Sequence, residues 1–141
     1  MKTTATVASS TGHPAYSQTM PCTAPSAGGA RRLVAAALVL WRLEELTDAA
    51  VLVVSELVGN AVRHTRSHQV LVAVSRPAAG LVRIEVTDRS RELPVLQAAG
   101  ADAVRGRGLL TVDAVATRWG SEPLPSGKRV WCELALPDTE S

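Results

Sequence analysis

At 141 residues and 46% hydrophobic content the chain suits one domain of ordinary size, and a net charge of +2 from 15 basic and 13 acidic residues leaves no dense basic block of the nucleic-acid-binding kind. Cys22 and Cys132 lie far apart with no close Cys or His spacing for zinc, so both read as free thiols in a reducing cytoplasm. The N-terminus lacks the basic-then-apolar order of a signal peptide, and the most apolar run, Leu33 to Trp41, falls well short of the roughly 20 residues of a spanning helix, so no membrane contact is expected.

Residues 1–24 are rich in Thr, Ser, Ala, Gly and Pro and read as a flexible arm, ending in an edge strand over Tyr16 to Cys22. The folded domain is expected over 25–137. Ser26 can cap a first helix, whose apolar positions Leu33, Val34, Ala37, Leu38 and Trp41 carry it to about Arg42. A short acidic connection, Glu44 to Asp48, leads to the central helix, with Thr47 or Asp48 as its cap. Through this helix, Val51 to Thr65, apolar residues recur at Val51, Val54, Leu57, Val58, Ala61 and Val62, so one broad stripe faces a core. Gly59 inside it costs about 1 kcal/mol relative to Ala, which suggests close approach of a ligand or a packed helix.

The period then changes from 3.6 to 2. Val70 to Arg76 and Leu81 to Thr87 read as an antiparallel hairpin across a turn at Pro77 to Gly80, with Val82, Ile84 and Val86 on one face and Arg83, Glu85 and Thr87 on the wet one. Asp88 falls where the strand ends. A long irregular stretch, Arg89 to Ala103, follows, and loops of that length are usually functional. Gly106, Arg107 and Gly108 open a short helix through Leu109, Leu110, Val112, Val115 and Ala116, where backbone N–H groups can approach an anion. Arg118 to Ser121 and Lys128 to Leu136 form the last strands, with Val130, Cys132, Leu134 and Leu136 inward, and 138–141 is a disordered tail. The pattern describes an α+β sandwich with helices on one side of a sheet.

Glu56, Asn60 and His64 follow one another at i, i+4 and i+8, stacking a carboxylate, an amide and an imidazole along one edge of the central helix. Glu56, Asn60 and Arg63 are equally what the wet side of an amphipathic helix presents. Their chemistry nevertheless fits a nucleotide. The Asn60 carbonyl oxygen suits Mg²⁺, which prefers oxygen ligands and lets phosphates complete its octahedron. Glu56, one turn earlier, can accept a proton from a hydroxyl attacking a γ-phosphate. An ionised Asp88 only accepts hydrogen bonds, which matches adenine's amino group and opposes guanine's carbonyl. Arg107, Arg63 and Lys128 can neutralise phosphate charge.

SELVGNAVRH at 55–64, VTDRS at 86–90 and GRGLLTVDAVATRWG at 106–120 resemble, in that order, the N box and two glycine boxes of the GHKL ATPase superfamily. The nearest branch is that of the anti-sigma-factor serine/threonine kinases, which are similar to the histidine-kinase ATP-binding domain. The resemblance implies a Bergerat fold: a two-layer α/β sandwich with a mixed, mostly antiparallel sheet and helices on one face, holding ATP and Mg²⁺. By matching position it implies that Asn60 is the magnesium ligand, Glu56 the general base and Asp88 the adenine reader. Arg63, His64 and Lys128 then lie near the nucleotide, and Gly106, Arg107, Gly108 and Leu109 belong to its lid. For His64 a purely structural role at the helix end stands equally open. The implied partner is a protein, an anti-anti-sigma-type protein or a sigma factor, with no direct contact to nucleic acid and a homodimer compatible with the pattern.

The chain departs from the family pattern at two points. Where the first glycine box carries two glycines after its Asp, this chain has Ser90 and Glu92, and a Cβ at 90 crowds a close backbone approach. Where Gly-Thr is common before the last strand, it has Gly127 and Lys128. Two functions fit: a kinase that phosphorylates a partner's serine or threonine, favoured by Glu56 and Asn60, or a non-catalytic switch of the same fold, favoured by the lost glycines.

Overall fold

The computed structural model describes residues 5–6, 13–64, 68–88 and 112–137. Strands β1 (Ala5–Thr6) and β2 (Ala15–Pro21) precede helix α1 (Ser26–Leu40), and a 3₁₀ turn at Glu44–Leu46 leads into α2 (Thr47–His64). The chain continues through β3 (Gln69–Ala78), β4 (Leu81–Asp88), a helical stretch at 112–115, β5 (Arg118–Leu124) and β6 (Gly127–Ala135).

Helix α1 buries Ala30, Leu33, Val34, Ala37 and Leu38, a stripe at i, i+3, i+4, i+7 and i+8. Ser26 begins this helix without capping it, because Pro25 holds the N-cap position and no side chain bonds the first turn. At the far end Arg42 takes a left-handed φ of 60°. Its N–H donates to the Val39 carbonyl while the Leu43 N–H donates to that of Leu38 at 2.8 Å. This is a Schellman closure with arginine where glycine is usual, at a conformational cost of roughly 1–2 kcal/mol. Leu38 and Leu43 are both buried, and their contact offsets that cost. The acidic connection is not an open linker: the Leu46 N–H donates to the Leu43 carbonyl, so the turn feeds directly into α2.

Among the described residues the sheet has six strands in the order β1-β2-β3-β4-β6-β5, and every pairing is antiparallel. The strand expected at the edge is therefore not outermost there, since β1 pairs beyond β2. The first hairpin also differs in its turn: β3 runs on through Pro77 to Ala78, with the register shifting between Ser75 and Ala78. A bulge of this kind accommodates a proline that has no N–H for the ladder, and Gly80, at φ 73°, makes the turn itself. After β4 the chain returns by way of 112–115 to the far edge, and β6 closes between β4 and β5.

Alternation gives the sheet two unlike faces. Val70, Val72 and Val74 of β3, Val82, Ile84 and Val86 of β4, and Val130, Cys132 and Leu134 of β6 are buried beneath α1 and α2. Helix α2 lies over β4 and β6, and α1 over β2 and β3. The opposite face holds Arg83, whose guanidinium bonds Glu85 at 2.7 Å and Glu133 at 3.1 Å. Arg118 donates to the other Glu133 oxygen at 2.8 Å. Both guanidiniums stack on the Trp131 ring, at 4.3 and 5.6 Å from its centre. The indole itself lies over Gly120 on the neighbouring strand, where an added Cβ would meet it at 3.0 Å.

Candidate functional site

On α2 the apolar residues Ala50, Val53, Val54, Leu57, Val58 and Ala61 are buried, which fixes the helix's rotation against the sheet. Asn60 falls inside that buried arc at 2% exposure, and its Nδ2 has no hydrogen-bond partner among the described residues. Asn60 is thus not part of a wet face. A buried amide N–H left without a partner costs roughly 1–3 kcal/mol. Glu56, one turn earlier, is half-buried, and Arg63 is exposed. Gly59 is approached by the Arg63 guanidinium: a Cβ there would lie 3.3 Å from its Nη1, so the close neighbour among the described residues is the helix's own i+4 side chain. His64 is the last residue of α2, and its side chain lies outside the described residues.

At the end of the sheet, Asp88 and Lys128 sit directly opposite each other on β4 and β6. Asp88 stands two residues after the inward Val86 and Lys128 two before the inward Val130, so both fall on the helix-covered side. The Lys128 ammonium is 3.3 Å from one Asp88 oxygen and 3.4 Å from the other, with the side chains 0% and 1% exposed. Cys22, just past β2, lies within electrostatic reach of the pair. Burial raises its thiol above the ordinary value, the Asp88 charge adds to the rise, and Lys128 opposes it. Asp88 also lines a cavity of about 250 Å³ with Thr19, Leu71, Thr87 and Ser126. That is below the roughly 300 Å³ at which small-molecule sites begin, so this hollow receives part of a ligand at most.

The described residues among those expected at a site fall in two places, the Glu56–Asn60 turn of α2 and the Asp88–Lys128 end of the sheet. Gly106, Arg107, Gly108 and Leu109, and the stretch from Arg89 to Ala103, lie outside the described residues. Cys22 was not among the residues expected near the site, because nothing in the spacing of a lone cysteine marks it. Among the described residues no three His, Cys, Asp or Glu side chains cluster to hold a metal. Asn60, with a carbonyl oxygen and a hard-cation preference, fits magnesium shared with phosphates rather than a protein-only cage. The buried donor–acceptor couple fits the edge of a base.

Residues 45–138 match the family model described as histidine kinase-, DNA gyrase B-, and HSP90-like ATPase, and the chain belongs to that family. Its antiparallel sheet layered against helices is the GHKL ATPase fold. No curated protein matches the chain. No helix among the described residues is long and apolar enough to cross a membrane.

Both cysteines are free. Cys132 is fully buried on β6, and burial, with the Glu133 charge adding, pushes its thiol up to about 12. Iodoacetamide at pH 8 should therefore label Cys22 slowly and leave Cys132 untouched until the chain unfolds, since only the thiolate reacts. Prompt modification of Cys132 in the native protein, followed by mass spectrometry, would contradict this packing.

Proposed function

We propose that this protein is a cytoplasmic, ATP-binding regulator that acts as a serine/threonine kinase on an anti-anti-sigma-type protein and thereby controls a sigma factor. The observation that carries the reading is Asn60, buried on α2 one turn beyond Glu56, where its side-chain oxygen can serve a hard cation. The resemblance supplies the same roles at the same positions.

Magnesium held by Asn60 would offset the phosphate charge when bound. Asp88 accepts from the adenine amino group, which sets the nucleotide's direction along the sheet end. Glu56 takes the proton from a partner's serine or threonine hydroxyl as its oxygen bonds to the γ-phosphorus; the bond to the β–γ bridging oxygen breaks and ADP leaves. The missing glycines at 90 and 92 favour the second reading, a switch that binds its partner without transfer.

Titration calorimetry with ATP, with and without Mg²⁺, tests the nucleotide step. Wild type should bind in a metal-dependent way, and Asn60→Ala should lose roughly tenfold or more of that affinity, the scale of a lost hydrogen bond or ligand to a charged group. Affinity that ignores both the metal and the substitution would remove Asn60 from the site. Labelled-phosphate transfer to the partner then separates the readings, because a switch binds both ligands and transfers nothing.

A further inference from the structure

Gly59 is the only glycine of α2, in a helix interior where every residue except proline is more favourable. The space it leaves is taken by Arg63: an added Cβ would lie 3.3 Å from Nη1 and 4.0 Å from Cζ. The arginine thus runs back toward the helix N-terminus, as long helical side chains do. Arg63 is exposed, and its guanidinium has no hydrogen-bond acceptor or ion-pair partner among the described residues. A free cation lies one helical turn from Glu56. Its direction decides what it can meet. At about 100° per residue, Asn60 is turned about 40° from Glu56 toward the buried arc, whereas Gly59 is turned about 60° the other way. The guanidinium and Asn60 therefore flank Glu56 on opposite sides. Phosphates and magnesium belong to the Asn60 side, which leaves the Arg63 side for the protein that brings the hydroxyl.

We propose that Arg63 is a specificity-determining residue for that protein: laid over Gly59, its guanidinium receives a carboxylate of the acceptor segment beside the serine or threonine that Glu56 serves. This inference rests on the kinase reading above. A guanidinium takes a carboxylate through two parallel N–H bonds, a geometry that an ammonium does not offer. The spacing follows from the two chains. Glu56 and Gly59 are three residues apart on the helix, where neighbouring side chains stand about 5–6 Å from each other. In an extended segment, side chains on one face recur every second residue, about 6.6 Å apart. The acid therefore stands two positions from the acceptor hydroxyl, as Glu-x-Ser or Ser-x-Glu. A larger residue at 59 would occupy the guanidinium's place, which accounts for a glycine in this turn of the helix.

The test gives the full chain labelled ATP, Mg²⁺ and two synthetic peptide libraries with a central serine and otherwise random flanks, one with Glu and one with Lys fixed two positions to either side. Wild type should label the Glu library with a kcat/KM roughly tenfold or more above the Lys library, the scale of one charged hydrogen bond. Arg63→Glu should reverse that order. Gly59→Leu fills the guanidinium's place with a better helix former, so it should melt higher than wild type by circular dichroism and yet lose the preference, a pairing that a purely structural glycine does not produce. Equal labelling of the two libraries by wild type, or a preference that survives in Arg63→Glu, would show that Arg63 does not read the acceptor, while the kinase reading stands. If neither library is labelled the proposal fails, and transfer to the whole partner protein decides the kinase reading separately.

Discussion

Glu56→Gln should keep ATP binding and lose phosphoryl transfer by two orders of magnitude or more. Glutamine preserves the size and much of the hydrogen bonding of glutamate but cannot take a proton, and general-base catalysis contributes roughly 10²–10⁴-fold. Glu56 is half-buried one turn before Asn60 on a helix whose rotation is fixed by buried neighbours, so the substitution should leave Asn60 in place. Some residual transfer is compatible with this role, because positioning and charge neutralisation carry much of phosphoryl transfer. Equal rates for wild type and Glu56→Gln, measured with labelled ATP and the partner, would remove Glu56 as the base.

Lys128→Met should be the most destabilising single change at the site. It leaves the Asp88 carboxylate, 1% exposed, without its counterion, and removing one member of a buried pair typically costs about 3–5 kcal/mol. Against a total stability of about 5–15 kcal/mol for an ordinary domain, that is a large fraction. Adding Asp88→Leu should recover most of the loss, since apolar pairs of similar volume often replace buried ion pairs at no net cost. Urea midpoints for the single and double variants decide it: an unchanged midpoint for Lys128→Met would mean the charge is solvated after all.

The periodic elements were legible in the chain because burial there follows spacing. Leu33, Val34, Ala37 and Leu38 announce α1, and Val82, Ile84 and Val86 announce the inward face of β4. What was not legible depends on partners far away or on backbone conformation. Helix α1 stops at Leu40 because Arg42 adopts a left-handed conformation that nothing in its side chain advertises. Strand β1 is two residues long and forms by pairing with β2, too short for any alternation to show. Gly59 had two expected neighbours, and the structure shows a third, the Arg63 guanidinium.

Of the candidate site, Asn60 and Asp88 could be picked out from type and spacing, and both are buried. The Asp88–Lys128 pair was within reach as well. Each lies two positions from an inward valine, Asp88 after Val86 and Lys128 before Val130, so alternation alone puts them on one face; the strand order needed to bring them together was the missing step.

The uncovered sheet face also supplies the protein with its own optical labels. Trp131 stands there between two guanidiniums, Trp41 packs against Tyr16 at 5.7 Å between its ring and the core, and Trp119 donates at 2.8 Å to Asp113 beside the helical stretch at 112–115. Each indole reports a different neighbourhood: the charged face, the helix layer, and the approach to the far edge strand. Replacing two of the three with phenylalanine leaves a single tryptophan emitter, so the wavelength and quenching of Trp131 fluorescence can follow changes at the open face separately from those in the helix layer.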